Sequence, residues 1–301
     1  MKKSTLGIIF AVLAALCYSL VNPINKLFAN EISPLLSASM LYFGTFIVGV
    51  VFLLVQLISK TYSKEQKFVK KDIPYLALAI LFHVGAAVSL MFGLRYLSSS
   101  NASLLGSFEI ISTSLIAFFL FKEKISKYLW IGIVFIFAAC IVISLGDLEN
   151  LNFSLGAILC LISPICFGFA NNFLKKISIK NPAISISLLG ICGGIITLSI
   201  ALILGERASS FTPVAVGISV GVISYGLALI LFIYAERFIG ATKTSAFFSL
   251  APFIAIILAL IIFTETPNYT FFIGLGLMIV GTFFASLDAI LEYRHEKLES
   301  K

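Results

Sequence analysis

Residues 103–121 read SLLGSFEIISTSLIAFFLF, and residues 245–263 read SAFFSLAPFIAIILALIIF. Each is an apolar run of the length that crosses a hydrocarbon core of about 30 Å as a helix. Laid side by side, Ser103, Ser107, Ala117 and Phe121 fall on Ser245, Ser249, Ala259 and Phe263, an offset of 142 residues. The first run carries one ionisable group, Glu109, where the second has Ala251 followed by Pro252. The chain therefore holds two related membrane helices, and one of them has an acid in its interior. An ionised group there costs roughly 2.5–3.5 kcal/mol even on lenient insertion scales, so the acid calls for an explanation.

The same offset extends outward from this pair. It matches Arg95, Glu123, Gly132 and Ser144 with Arg237, Glu265, Gly274 and Ser286. Nearer the N-terminus an offset of 149 matches Gly7, Ile9, Cys17, Asn22 and Lys26 with Gly156, Ile158, Cys166, Asn171 and Lys175. Two repeats follow, residues 1–148 and 149–301. Apolar runs between polar breaks predict ten spans, at residues 5–29, 34–58, 73–97, 101–121, 128–145, 153–176, 184–204, 213–235, 241–263 and 270–290. Each repeat holds five, an odd number, so the second must enter the bilayer from the opposite side. The expected fold is an all-α integral membrane protein, with ten transmembrane helices as two inverted-topology five-helix repeats around a central cavity. Secondary transporters recur on this plan because two mirror-related halves supply two states of similar energy.

Composition agrees. The 301 residues are 60% hydrophobic and only 12% charged, with a mean hydropathy of +1.09, well outside the range of soluble domains. The five cysteines, at 17, 140, 160, 166 and 192, all fall inside apolar runs. They form neither a disulfide framework nor a metal-ligand cluster, so no metal and no cofactor is expected. No phosphate-binding loop of the GxxxxGK type, no HExxH and no Ser/His/Asp constellation occurs, which argues against an ATP-driven pump and against an enzyme. The first 29 residues run from Met-Lys-Lys through an apolar stretch into Asn22, Pro23, Asn25 and Lys26, and they recur as span 6. They are expected to be retained as a span rather than removed as a secretory signal.

Charge sets the expected orientation. With the N-terminus in the cytoplasm, eighteen of the 21 Lys and Arg fall inside: residues 2, 3, 60, 64, 67, 70, 71, 122, 124, 127, 175, 176, 180, 237, 243, 294, 297 and 301. Lys26, Arg95 and Arg207 fall outside. Such a split predicts a multi-pass protein of the cytoplasmic membrane with both termini cytoplasmic. The net charge of +7 then faces anionic lipid in the bilayer and implies no nucleic-acid partner.

The stretch YGLALILFIYAERFIGATKTSAFFSLAPFIAIILALIIFTE, followed by FIGLGLMIVGTFFAS, resembles an EamA repeat of the drug/metabolite transporter superfamily. The first-half counterpart, LMFGLRYLSSSNASLLGSFEIISTSLIAFFLFKEKISKYLWIGIVFIFAACIVIS, is similar to the other repeat of that family. The resemblance covers essentially the whole chain. It implies ten helices around a cavity and movement of a small metabolite, and it is nearly silent on which one.

Polar residues inside the spans are the candidate site. Glu109 lies about 12 Å down its helix and shares a face with Gly106 and Thr113, so it is expected to line a cavity as a protonatable or cation-binding group. Lys26 is its expected partner, or else a lysine snorkelling to the surface. Tyr18, Asn22 and Asn25 form a stripe around Pro23 in span 1, and Asn171 and Asn172 repeat it in span 6, with Lys175 as an interface anchor. His83 in span 3 is either a proton shuttle or a packing residue. Tyr225 and Tyr234 in span 8, with Ser245, Ser249 and Pro252 in span 9, complete the candidate pocket. Glycines 190, 193 and 194, and the pair Gly217 and Gly221, read as close helix contacts.

The function expected from these features is secondary active transport of a small organic metabolite by alternating access, with protons as the coupling ion. An amino-acid-like solute and export are what the resemblance implies. Uptake on the same fold, or a non-transporting receptor or scaffold subunit, is the alternative. The expected partners are a small-molecule substrate and the lipid bilayer; sequence leaves the oligomeric state open, and a monomer is compatible with it.

Overall fold

The computed structural model describes residues 3–62, 66–122, 125–145, 151–177, 179–239, 244, 247–264 and 267–299, with side chains described for all of these but 3, 151–153 and 288–299. Ser245, Glu123 and Glu265 of the repeat matches lie outside the described residues, as do Lys2, Lys64, Lys124, Lys243 and Lys301 of the charge count. The side chains of Lys3, Arg294 and Lys297 lie outside them as well.

The expected spans are present as helices, and several are broken where the sequence has polar residues. Span 1 is Lys3–Tyr18, a turn at 19–20, and Val21–Leu27. Pro23 removes one donor from the second piece. Span 2 is Pro34–Ile58 and span 3 is Ile73–Tyr96. Span 4 is Ser99–Gly106 and Phe108–Phe121, with the break at Ser107. Spans 5, 6 and 7 are Lys127–Ser144, Leu151–Ile177 and Pro182–Ile203. Span 8 runs as Phe211–Val220, a π-helical stretch at Gly221–Leu227, and Ala228–Ile239. Span 9 has a turn at 249–250 followed by Ala251–Phe263. Span 10 is Tyr269–Glu299, which continues past the expected end at 290. The breaks in spans 4 and 9 fall on counterpart residues, Ser107 and Ser249.

The spans pack across the repeats. The most extensive contacts join span 3 to span 6, span 2 to span 7, span 5 to span 10 and span 1 to span 8. Each pair is carried onto itself or onto another of these pairs when spans 1–5 are exchanged with spans 6–10, so the halves are related by an approximate two-fold axis. Close approach at these crossings depends on glycine. A Cβ on Gly190 would meet the Phe46 backbone, and one on Gly193 would lie 2.8 Å from the Tyr42 ring. Gly221 seats against the backbone of Leu41, and Gly132 against Gly281 and Ala285.

Loop contacts fix the sidedness. Ile32 bridges Ala208, and the Ser209 amide donates to the Glu31 carbonyl at 2.8 Å, so the loops after spans 1 and 7 share a face. Gln66 bridges Lys180, and Lys180 forms an ion pair with Asp72 at 3.2 Å, so the loops after spans 2 and 6 share the other. The loops after spans 1 and 6 are counterparts yet lie on opposite faces. The repeats are therefore inverted. Lys176 over the Phe121 ring, at 4.5 Å, brings the end of span 4 to the face of Lys67, Lys70, Lys71 and Lys180, hereafter the Lys-rich face.

Large apolar side chains cover the outside, among them Leu81, Val134, Ile203 and Phe283. That surface is stable only against lipid. The buried core, with Leu41, Tyr42, Leu94, Leu104 and Leu105 among its members, lies where the two repeats meet.

Candidate functional site

Between the repeats lies a cavity of about 820 Å³. Its wall takes residues from both halves, in counterpart pairs: Tyr18 and Phe167, Asn22 and Asn171, Ser107 and Ser249, Glu109 and Ala251, Thr113 and Ala255. The lining continues through Ser126, Lys175 and Lys180 at the Lys-rich face. Toward the opposite face the wall ends near Tyr18, Asn22 and Ser103, and what lies beyond is packed. There Lys26 Nζ donates to the Leu94 carbonyl at 2.6 Å, and Ser37 donates to Asn25 Oδ1 at 2.9 Å. The cavity thus opens toward one face and is sealed at the other.

Glu109 stands in the first turn of the half-helix that starts after the break at Ser107. Its Oε1 accepts from Asn171 Nδ2 at 2.7 Å. Asn172 donates to the Thr113 carbonyl at 2.9 Å and to the Gly168 carbonyl at 2.8 Å, and Ser112 donates to the Pro164 carbonyl at 2.6 Å. Spans 4 and 6 are thus fastened over two turns, with room made by Gly168, where a Cβ would lie 2.9 Å from Ser112. Asn22 Nδ2 donates to Ser103 Oγ at 3.0 Å at the deep end. The hydroxyls of Ser107 and Thr113 are buried and have no hydrogen-bond partner among the described residues. Buried hydroxyls seldom stay unpaired, so these two are available to a ligand or water. Tyr18, stacked on Tyr225 at 6.0 Å and tilted against Phe248 at 5.3 Å, gives the cavity an aromatic wall.

Seven of the candidates named from the sequence are brought together here: Glu109, Tyr18, Asn22, Asn171, Asn172, Ser249 and Pro252. Lys26, Asn25, His83, Tyr225 and Tyr234 are not in the lining. Lys26 is not the partner of Glu109; its ammonium turns to the Leu94 carbonyl on the sealed side, and Asn171 takes the place expected for it. Asn25, 7% exposed, ties Val21 to Ser37 behind the cavity wall. His83, 6% exposed, sits outside the lining and receives Tyr42, whose hydroxyl lies 3.0 Å from Nδ1 and donates to the His83 carbonyl at 2.7 Å. Tyr225 backs Tyr18 without reaching the wall, and Tyr234 packs against Phe52 and under the Arg237 guanidinium. Sequence reasoning passed over Glu236, which also lines the cavity. The signal was present: an acid in the last turns of an apolar span, at the position where the first repeat has Leu94.

The chain has sequence relatives. The profile of the EamA-like transporter family matches residues 5–145 and again 154–287. The chain belongs to the EamA-like transporter family. An uncharacterized transporter of Clostridium kluyveri is 24% identical over 295 residues, covering 94% of this chain and 92% of its own length. An uncharacterized transporter of Methanothermobacter thermautotrophicus is 26% identical over 297 residues, 92% of this chain and 85% of its own. Among solved structures, one crystal structure of a protein superposes with a TM-score of 0.69 over 94% of this chain and 98% of its own, at 14% identity, which shows a shared fold. As an EamA-family chain with membrane-spanning helices, this is a transporter protein embedded in lipid and built to take a small-molecule substrate.

Proposed function

We propose that this EamA-family protein is a secondary active transporter of the cytoplasmic membrane that exports a small, amino-acid-like metabolite by alternating access. The observation that carries this is the cavity, walled by counterpart residues of two inverted repeats, open toward the Lys-rich face and sealed at the other. Exchanging the conformations of the two halves converts such a state into its opposite-facing twin. The Lys-rich face is cytoplasmic by the excess of Lys in its loops, and both termini lie on that side. The repeats divide the chain at about residue 148, and the cavity is complete within one chain, so a monomer suffices.

Glu109 is the coupling group. It binds a proton or the cationic group of the substrate, and its partner Asn171 lies on the other repeat, so a change at the carboxylate is felt where the halves meet. A bound proton shifts the equilibrium between states only by its difference in affinity for the two. Asn22, Ser103, Ser107 and Thr113 hydrogen-bond the polar parts of the substrate, and Tyr18 and Phe248 hold its apolar part.

The test is flux in proteoliposomes loaded with a panel of amino acids and related amines, with and without a pH gradient. Substrate movement that responds to the gradient is expected. No movement of any solute, with folded protein in the bilayer, points to a receptor or scaffold instead.

A further inference from the structure

The sealed and open ends of the cavity are occupied by counterpart residues. On the sealed side Lys26, at the end of span 1, donates through Nζ to the carbonyl of Leu94 near the end of span 3. The two repeat offsets carry Lys26 to Lys175 in span 6 and Leu94 to Glu236 in span 8. Lys175 and Glu236 both line the cavity. On the alternating-access reading given above, we propose that Lys175 and Glu236 are the pair that closes the cavity at the Lys-rich face. They do so by repeating there the contact that Lys26 makes with residue 94.

Other cations lie near this face. Lys180 is engaged with Asp72 at 3.2 Å. Arg237 donates to the Lys180 carbonyl at 2.8 Å and lies over the Tyr234 ring at 5.3 Å. Lys176 sits over the Phe121 ring at 4.5 Å. Lys175 and Lys180 both line the cavity, and it is Lys175 that the repeat offset pairs with Glu236.

The two closures are not equal. Residue 94 is a leucine and offers its lysine a neutral carbonyl; residue 236 offers a carboxylate. Both are hydrogen bonds from an ammonium, but only the second adds attraction between two opposite charges, and that attraction grows as water leaves a closing site. The asymmetry tilts the equilibrium toward the state closed at the Lys-rich face. Removing one partner leaves the other as an uncompensated buried charge in that state and tilts it back.

Gly106 supplies the reporter. It lines the cavity, and a Cβ there would meet nothing within 4 Å. With Cys17, Cys140, Cys160, Cys166 and Cys192 replaced by alanine, Gly106→Cys is labelled in membranes by an impermeant thiol reagent applied to each face in turn. Glu236→Gln and Lys175→Met are each expected to raise the labelling rate from the Lys-rich face several-fold and to lower it from the opposite face. The charge swap Lys175→Glu with Glu236→Lys is expected to bring both rates back toward the starting values, which a merely structural role for either residue would not do. Labelling from both faces that neither single variant changes overturns the proposal and leaves alternating access standing. Labelling from the Lys-rich face alone in every variant overturns both.

Discussion

Asn171 in span 6 donates from Nδ2 to Glu109 Oε1 in span 4 at 2.7 Å, a hydrogen bond that runs from one repeat to the other. It joins the one acid of span 4 to the polar stripe of the second half, directly on the cavity wall.

Glu109→Gln keeps an oxygen that accepts from Asn171 while removing the ionisable group. Stability should fall by less than about 1 kcal/mol, and transport should lose its response to a pH gradient. Glu109→Ala, which leaves the Asn171 amide without its acceptor, should cost about 1–3 kcal/mol. Thermal unfolding in detergent alongside flux at several pH values separates the two, and a Gln variant that still follows pH removes Glu109 from the coupling role.

Gly168→Val drives a side chain into Ser112, where a Cβ alone would already lie 2.9 Å away. The wedge should part spans 4 and 6 and lift Asn171 from Glu109, cutting flux strongly although both polar residues are intact. Overpacking of this kind costs about 1–3 kcal/mol, read as a lower melting temperature. Flux equal to the parent protein would show that the seating of span 6 on span 4 does not matter for turnover.

Gly106→Phe and Gly193→Val make opposite predictions from the same residue type. The first adds a ring into open space and should block transport with little change in melting temperature. The second puts atoms against the Tyr42 ring, 2.8 Å from its would-be Cβ, and should reduce folded yield. Size-exclusion profiles and flux, taken together, distinguish a filled cavity from a broken crossing.

Tyr42→Phe removes the hydroxyl that donates to the His83 carbonyl. With His83 set among Tyr42, Phe167 and Tyr225 behind the cavity wall, the loss should appear as about 0.5–1.5 kcal/mol of stability. The pH profile of transport should stay unchanged. A shifted profile would return His83 to the proton path.

The inversion of the repeats and the number of spans were legible in the sequence because both depend on patterns within single helices and on counting. Glu109 was legible for the same reason: one acid in an apolar run stands out. Its partner was not. Lys26 and Asn171 both had suitable chemistry, and only the packing of span 6 on span 4, a contact between repeats, decides between them. The break at Ser107 carries no proline of its own, and the nearest hint is Pro252 in the counterpart helix. The place of Asn25 and His83 behind the wall likewise depends on helix rotation, which a weakly amphipathic span does not encode.

The pairing of spans across the two halves has a consequence for biosynthesis. Spans 1, 2, 3 and 5 find their most extensive contacts with spans 8, 7, 6 and 10, which are translated later. At about 5–20 residues per second, the ribosome needs on the order of ten seconds to complete the second half. Throughout that interval the first five helices lack the second-half partners of Gly44, Gly49 and Glu109. Newly made chains should therefore depend on an insertase or a quality-control protease more than the stability of the finished protein suggests.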